Sequence, residues 1–258
     1  MGFRTMLAAI GVGVMALGAS GAAAGELPAA EFLRLAARRS TLNDSYARLW
    51  GRISHLRKNA GKAEYYPIYF GVIFSPGWMH GQLILDGREY YDIERSVGSA
   101  SRFAVKPAEG QPAANSLLDH LGLEISDLSM GFLDDPLRKE EDSERVKTVD
   151  CRVLLLDAPG GGTVKVWISR EYLFPVRAEF YGPGAYPEKK PDRTLEVTGF
   201  KKIDQYYVVT DLAILGREWR TRIAFDRTEV GKNDAPEAAK VFQPVPGAQA
   251  TDSSNAKR

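Results

Sequence analysis

The chain has 258 residues, 44% of them hydrophobic, with 34 lysines and arginines against 33 acidic residues and a single cysteine. So even a charge balance lacks the basic footprint of a nucleic-acid binder, and one cysteine excludes an intramolecular disulfide. The length suits one large all-β domain as readily as two smaller ones.

Arg4, the apolar run from Met6 to Leu17 and the small residues Ala22, Ala23 and Ala24 have the three parts of a secretory signal, so residues 1–24 are expected to be removed near Ala24 on export. The apolar run is shorter than the roughly 20 residues a membrane-spanning helix needs, and no later segment is apolar for as long. Cys151 lies far from that cleavage point, so it cannot carry the lipid anchor of an exported bacterial protein, and a soluble mature chain is expected. One domain is expected over residues 25–246, followed by a disordered polar tail at 247–258.

Residues 27–39 set Leu27, Phe32, Leu33, Leu35 and Ala36 around Arg34, Arg38 and Arg39, the pattern of a short amphipathic helix. The period then changes to two: Ala47, Leu49, Gly51 and Ile53 share one side of a strand over 46–58, and Arg48, Trp50, Arg52 and Ser54 the other. Further strands are expected at 66–74, 78–85 and 88–93, the last two joined by Asp86-Gly87, a good hairpin turn because glycine accepts positive φ. Residues 98–114, rich in Gly, Ala, Pro and Ser, read as a loop. Within 116–133 two short helices are expected, one presenting Leu117, Leu118 and Leu121, the other starting at an Asp127 cap and presenting Leu128, Phe132 and Leu133.

The mixed-sign run 138–147 reads as a solvated connector. Strands resume at 148–156, 163–169, 174–181, 193–201, 206–215 and 220–229. About ten sequential strands with brief turns predict a mainly β protein: one large curved antiparallel sheet, an incomplete barrel, capped by short helices.

Residues in catalytic patterns are scarce. His55, His80 and His120 stand apart with no metal-ligand spacing, so no metal or other cofactor is expected. Ser129 lacks the glycine of a nucleophile elbow. Gly160, Gly161 and Gly162 lead into a strand and not a helix, which makes them a hairpin tip instead of a phosphate cradle. Asp134-Asp135 and the group Asp86, Asp92, Glu94 are carboxylates of the kind turns supply routinely.

What is left to explain is apolar. Phe174, Val176, Ala178 and Phe180 are expected on one face of a hairpin, matched by Val164, Val166 and Ile168 on its partner. Either the sheet closes over this face as an ordinary core, or part of it is left for a ligand. The ligand reading takes Val166, Ile168, Phe174, Val176, Phe180, Leu128, Phe132 and Leu133 as the lining of a hydrocarbon cavity.

Several blocks occur in a telling order: YARLWGRI at 46–53, DLSMGFL at 127–133, DCRVL at 150–154, VWIS at 166–169, PVRAEFY at 175–181 and LEV at 195–197. Over residues 28–245 the chain resembles the outer-membrane lipoprotein-sorting protein family, relatives of the LolA carrier. That resemblance implies a periplasmic, non-enzymatic binder of lipid or lipoprotein acyl chains, with inner- or outer-membrane lipoprotein-handling proteins as partners. Members of this fold also serve as envelope stress sensors, so engagement of a protein partner through the same sheet is the alternative, and an enzyme acting on lipids is a third. The arginine with which the carrier latches its lid has no match in these blocks.

Overall fold

The computed structural model describes residues 27–41, 44–96, 103–107 and 116–244. The expected signal segment and disordered tail lie outside the described residues, as does most of 98–114. Twelve strands build one antiparallel sheet: β1 (Ser45–Arg57), β2 (Glu64–Ser75), β3 (Trp78–Leu85), β4 (Glu89–Ser96), β5 (Phe103–Pro107), β6 (Leu137–Val146), β7 (Val149–Asp157), β8 (Thr163–Ser169), β9 (Pro175–Tyr181), β10 (Arg193–Ile203), β11 (Tyr206–Gly216) and β12 (Trp219–Lys232). Their spatial order is β5-β4-β3-β2-β1-β12-β11-β10-β9-β8-β7-β6. The sheet is therefore two meanders, joined where β1 pairs with β12.

This order fixes what covers the sheet. The chain leaves β5 at one edge and must reach β6 at the other, so the connection crosses the full width. It carries α2 (Leu117–His120), α3 (Ile125–Ser129) and a 3-10 turn at Gly131–Asp134. A further helix, α1 (Ala29–Arg38), packs against that 3-10 turn and β6. The fold class read from the sequence thus holds: mainly β, antiparallel, open, with short helical cover.

The edges of the sheet differ from the expectation. The loop expected at 98–114 contains β5, and the connector expected at 138–147 is β6. β6 pairs with β7 through two register shifts and exposes most of its charges. Charge and irregular register on an edge strand hinder edge-to-edge association, and the same features conceal its period.

The inner face follows the two-residue period. Ala47, Leu49 and Ile53 of β1, Phe70, Val72 and Phe74 of β2, Leu154 and Leu156 of β7, and Leu212 and Ile214 of β11 are all buried in one continuous core. The helices close it with Phe32, Leu33, Leu121, Leu128 and Leu133. Each such side chain contributes roughly 1.5–3 kcal/mol by leaving water. α2 ends at Gly122, whose φ of +64° suits glycine and whose missing Cβ leaves room for the Trp219 ring, since a Cβ there would meet Cζ2 at 2.3 Å. On the outer face, residues near Ala238 and Val241 cover Tyr46, and the Tyr69 hydroxyl donates to the Val241 carbonyl.

Among the described residues no helix is long and apolar enough to cross a membrane.

Candidate functional site

The crossover segment is held by two buried arginines, one from each meander. Arg95 of β4 falls in the inward phase with Tyr91 and Ile93. Its Nε donates to Asp134 Oδ2 at 2.7 Å and its Nη1 to the Ser129 carbonyl at 3.2 Å. Its Nη2 makes an ionic contact with Asp134 at 2.6 Å, outside hydrogen-bond alignment. Arg193, at the start of β10, donates from Nη1 to both oxygens of Asp127 at 2.7 Å and sets Nη2 2.8 Å from Glu124. Its guanidinium also lies 4.0 Å from the centre of the Phe180 ring.

The local sequence explains why Asp127 is in place. α3 begins at Ile125, two residues before the expected Asp127 cap, because Glu124 takes the cap position and Asp127 folds back to accept from the Glu124 N–H at 2.8 Å. Burial pushes the Asp127 carboxyl above its ordinary value, against the pull of the Arg193 guanidinium. α3 then stops at Met130, whose left-handed φ of +54° turns the chain into the 3-10 segment and delivers Phe132 to the sheet.

Between this segment and β8–β10 lies a cavity of about 540 Å³. Phe132, Val164, Phe180 and the Ala158-Pro159 turn form its apolar walls, and the Phe132 and Phe180 rings meet edge to face with centroids 5.5 Å apart. Its rim is charged, with Arg95, Arg193, Glu124, Asp134 and Asp135. Burial, and then the neighbouring Asp134 charge, raise the Asp135 carboxyl to a pKa of about 6. A second cavity, of about 620 Å³, has the polar walls Arg57, Asp86, Arg88, Glu89 and Asp119, which suit hydrocarbon poorly.

The eight expected lining residues are distributed unevenly. Phe132 and Phe180 line the cavity. Val166, Ile168, Phe174, Leu128 and Leu133 are buried in the core and touch the protein's own side chains. Val176 departs from the expected face: it packs on the opposite side of the sheet with Cys151, Val153 and Trp167. The cause is a bulge, because Trp167 pairs with Arg177 but Ile168 with Pro175, so Val176 is the extra residue and the alternation restarts after it. Ala178 and Phe180 still face inward. Arg95 and Arg193 are absent from the expected site, although an arginine in the inward phase of a strand is a visible signal, and Asp135, which reads from the sequence as an ordinary turn carboxylate, lies on the cavity wall.

The three histidines, separate along the chain, acquire neighbours in space. His80 on β3 has Nε2 2.5 Å from Asp92 Oδ1, and with Glu94 forms a set of three possible metal donors whose atoms lie within 4.8 Å of one another. Strand pairing creates this set, so no spacing along one strand reveals it. The His55 and His120 rings lie 5.2 Å apart. The Thr221 hydroxyl donates to the Leu121 carbonyl at 2.5 Å, so His55 Nδ1, 2.8 Å from the Thr221 oxygen, is the donor to Thr221. This leaves the buried His55 Nε2 without a hydrogen-bond partner among the described residues.

No protein-family model matches the chain, and no curated protein matches it. Solved structures do match its fold. A DUF1329 family protein from Desulfovibrio piger aligns at 16% identity over 81% of this chain and 94% of its own, with a TM-score of 0.56. A domain from Vibrio parahaemolyticus assigned to outer membrane lipoprotein sorting aligns at 17% identity over 83% and 98%, also with a TM-score of 0.56. A LolA superfamily protein from Nitrosomonas europaea aligns at 13% identity over 84% and 98%, with a TM-score of 0.45. At these identities the likeness is one of fold alone; it is carried by the Desulfovibrio and Vibrio structures, and at that level the resemblance read from the sequence holds.

Proposed function

We propose that the protein is a periplasmic binder of lipid or lipoprotein acyl chains, acting without catalysis. The observation that supports this reading is the apolar-walled cavity of about 540 Å³ between the helical cover and the sheet, at Phe132, Val164 and Phe180. Its volume falls in the roughly 300–1,000 Å³ range of small-molecule sites. Each methylene moved into it from water contributes about 0.8 kcal/mol, so hydrocarbon needs no polar contact to be held. Lost translational freedom and chain ordering offset much of that gain. Chains longer than the cavity would have to displace the α3 and Gly131–Asp134 cover from the core residues beneath, among them Val166 and Ile168. The sorting assignment of the Vibrio domain, which shares the fold, is consistent with this reading.

Native mass spectrometry of the exported protein, paired with titration of a neutral fluorescent acyl probe, tests it. A copurifying lipid or saturable probe binding is expected. Absence of both overturns the proposal.

Engagement of a protein partner is a second reading, favoured by one feature of the same sheet. Phe200, 48% exposed, clusters with Tyr172 and Tyr207 at ring-centroid distances of 5.9–6.2 Å. Aromatics of this kind are enriched at protein interfaces. A Phe200→Ser variant that loses a partner but keeps the acyl probe would assign this patch to that role.

A further inference from the structure

The walls of the cavity carry an unequal set of charges, and its positive groups are already engaged. Arg95 is held by Asp134 and the Ser129 carbonyl, and Arg193 by Asp127 and Glu124. Among the described residues two guanidinium groups thus face four carboxylates: Glu124, Asp134 and Asp135 on the wall, and Asp127 fully buried behind it. Asp135 is the carboxylate left over. It has no side-chain hydrogen bond or ion pair among the described residues, is half-buried, and stands beside Phe132, Val164 and Phe180.

A chain entering among those three side chains would bring its head to this rim. Among the described residues, a carboxylate or phosphate head would meet excess negative charge and no uncommitted cation. An ammonium head would meet Asp135, and hydrocarbon walls strengthen such a contact because they exclude the water that screens it. We infer that the cavity selects by head-group charge, accepting an alkyl or acyl chain with an ammonium head and rejecting the same chain with a free carboxylate. This rests on the acyl-chain reading proposed above and specifies the ligand class of that site. Among the described residues the other charged groups at this cavity are Asp134 beside Asp135, Arg95 from β4, Glu124 and Asp127 from the crossover, and Arg193 from β10. Each arginine is paired, so none of them reverses the sign. The raised Asp135 pKa, about 6, is consistent with a carboxyl that lacks a cation of its own.

Three probes of one chain length separate the possibilities: dodecylamine, dodecanol and dodecanoate, titrated below their micelle concentrations at pH 7.5 and low salt. The expected result is dodecylamine binding at least tenfold more tightly than dodecanoate, with dodecanol between them. Asp135→Asn should bring amine and carboxylate to within about threefold of each other. Dodecanoate binding as tightly as dodecylamine overturns the inference but leaves the acyl-chain reading intact. Failure of all three probes, dodecanol included, overturns both. Should Asp135→Asn fail to fold, a salt series on the parent protein decides. The amine preference is expected to shrink at high ionic strength, and a preference indifferent to salt overturns the assignment to charge.

Discussion

Arg193 donates to both oxygens of Asp127 at 2.7 Å, across 66 residues of sequence, and so ties the start of β10 to the helix laid over the inner face of the sheet. Asp127 is fully buried, so its charge depends on this partner. Removing one member of a buried pair leaves the other uncompensated and costs about 3–5 kcal/mol, whereas replacing both by apolar residues can be nearly neutral. Arg193→Leu is therefore expected to lower the urea midpoint strongly, and Arg193→Leu with Asp127→Leu to recover at least half of the loss. Equal stability of the Arg193→Leu variant and the parent would show that the cover is not fastened here.

Cys151 is expected to be chemically silent. It lies fully buried on the outer face with Val153 and Trp167, and burial pushes its thiol to a pKa of about 11. Reactivity follows the thiolate, which is scarce at neutral pH under those conditions. A thiol reagent at pH 7.5 should label the folded protein only on the timescale of unfolding. Cys151→Val should cost no more than about 1–3 kcal/mol and leave probe binding intact. Rapid labelling of the native protein would contradict the burial on which this rests.

Two groups make opposite contributions to stability below neutral pH. Burial lowers the His55 pKa, followed by the charges of His120 and Arg57, so the unfolded chain takes up this proton first as pH falls. Stability associated with His55 is therefore present above its unfolded value of about 6.5 and is lost as pH drops through that region toward the folded value. Asp135 works in reverse. Its folded pKa, raised to about 6, means that the native state holds this proton more tightly, and stability is lost as pH rises from about 4 to about 6. Chemical unfolding at half-unit intervals between pH 4 and 8 should show a smaller acid-side loss for His55→Gln than for the parent. Asp135→Asn should lose less than the parent as pH rises through 4–6. Curves that merely shift in parallel would dissociate both groups from the pH dependence.

The sequence made most of the sheet legible and almost none of the site. Interior strands show a clear period because each has one buried face and paired neighbours on both sides. The two that escaped, β5 and β6, are the edges, where pairing is one-sided and composition can drift to Gly and Pro or to charge. Arg95 escapes because the alternation reads as ending at Ile93, whereas β4 runs three residues further to Ser96 and carries the arginine in its inward phase. Val176 escapes because strict alternation carries it onto the face of Ala178 and Phe180, whereas the register shift opposite Trp167 and Ile168 inserts it as an extra residue. The cavity has no local signature at all. Its walls come from β4, β8, β9, β10 and the crossover, brought together by the route from one sheet edge to the other.

Phe180 and Val176 provide the sharpest test, because simple alternation puts them on one face and the bulge puts them on two. Phe180 is half-buried on the cavity wall, under the Arg193 guanidinium and against the Phe132 ring. A carboxylate introduced there has the open cavity beside it, and water entering that cavity lowers the cost of burying it. Phe180→Asp should therefore fold, with a loss of about 1–3 kcal/mol, yet bind a neutral acyl probe at least tenfold more weakly, since the charge occupies the space meant for hydrocarbon. Val176→Asp places the same group on the far side of the sheet, among Cys151, Val153 and Trp167. It should affect stability and leave probe affinity within about twofold once the folded fraction is accounted for. Thermal unfolding and probe titration on the two variants side by side give the answer. Comparable loss of binding in both would mean that the bulge does not divide this strand between faces, and undiminished binding in Phe180→Asp would place the hydrocarbon site elsewhere.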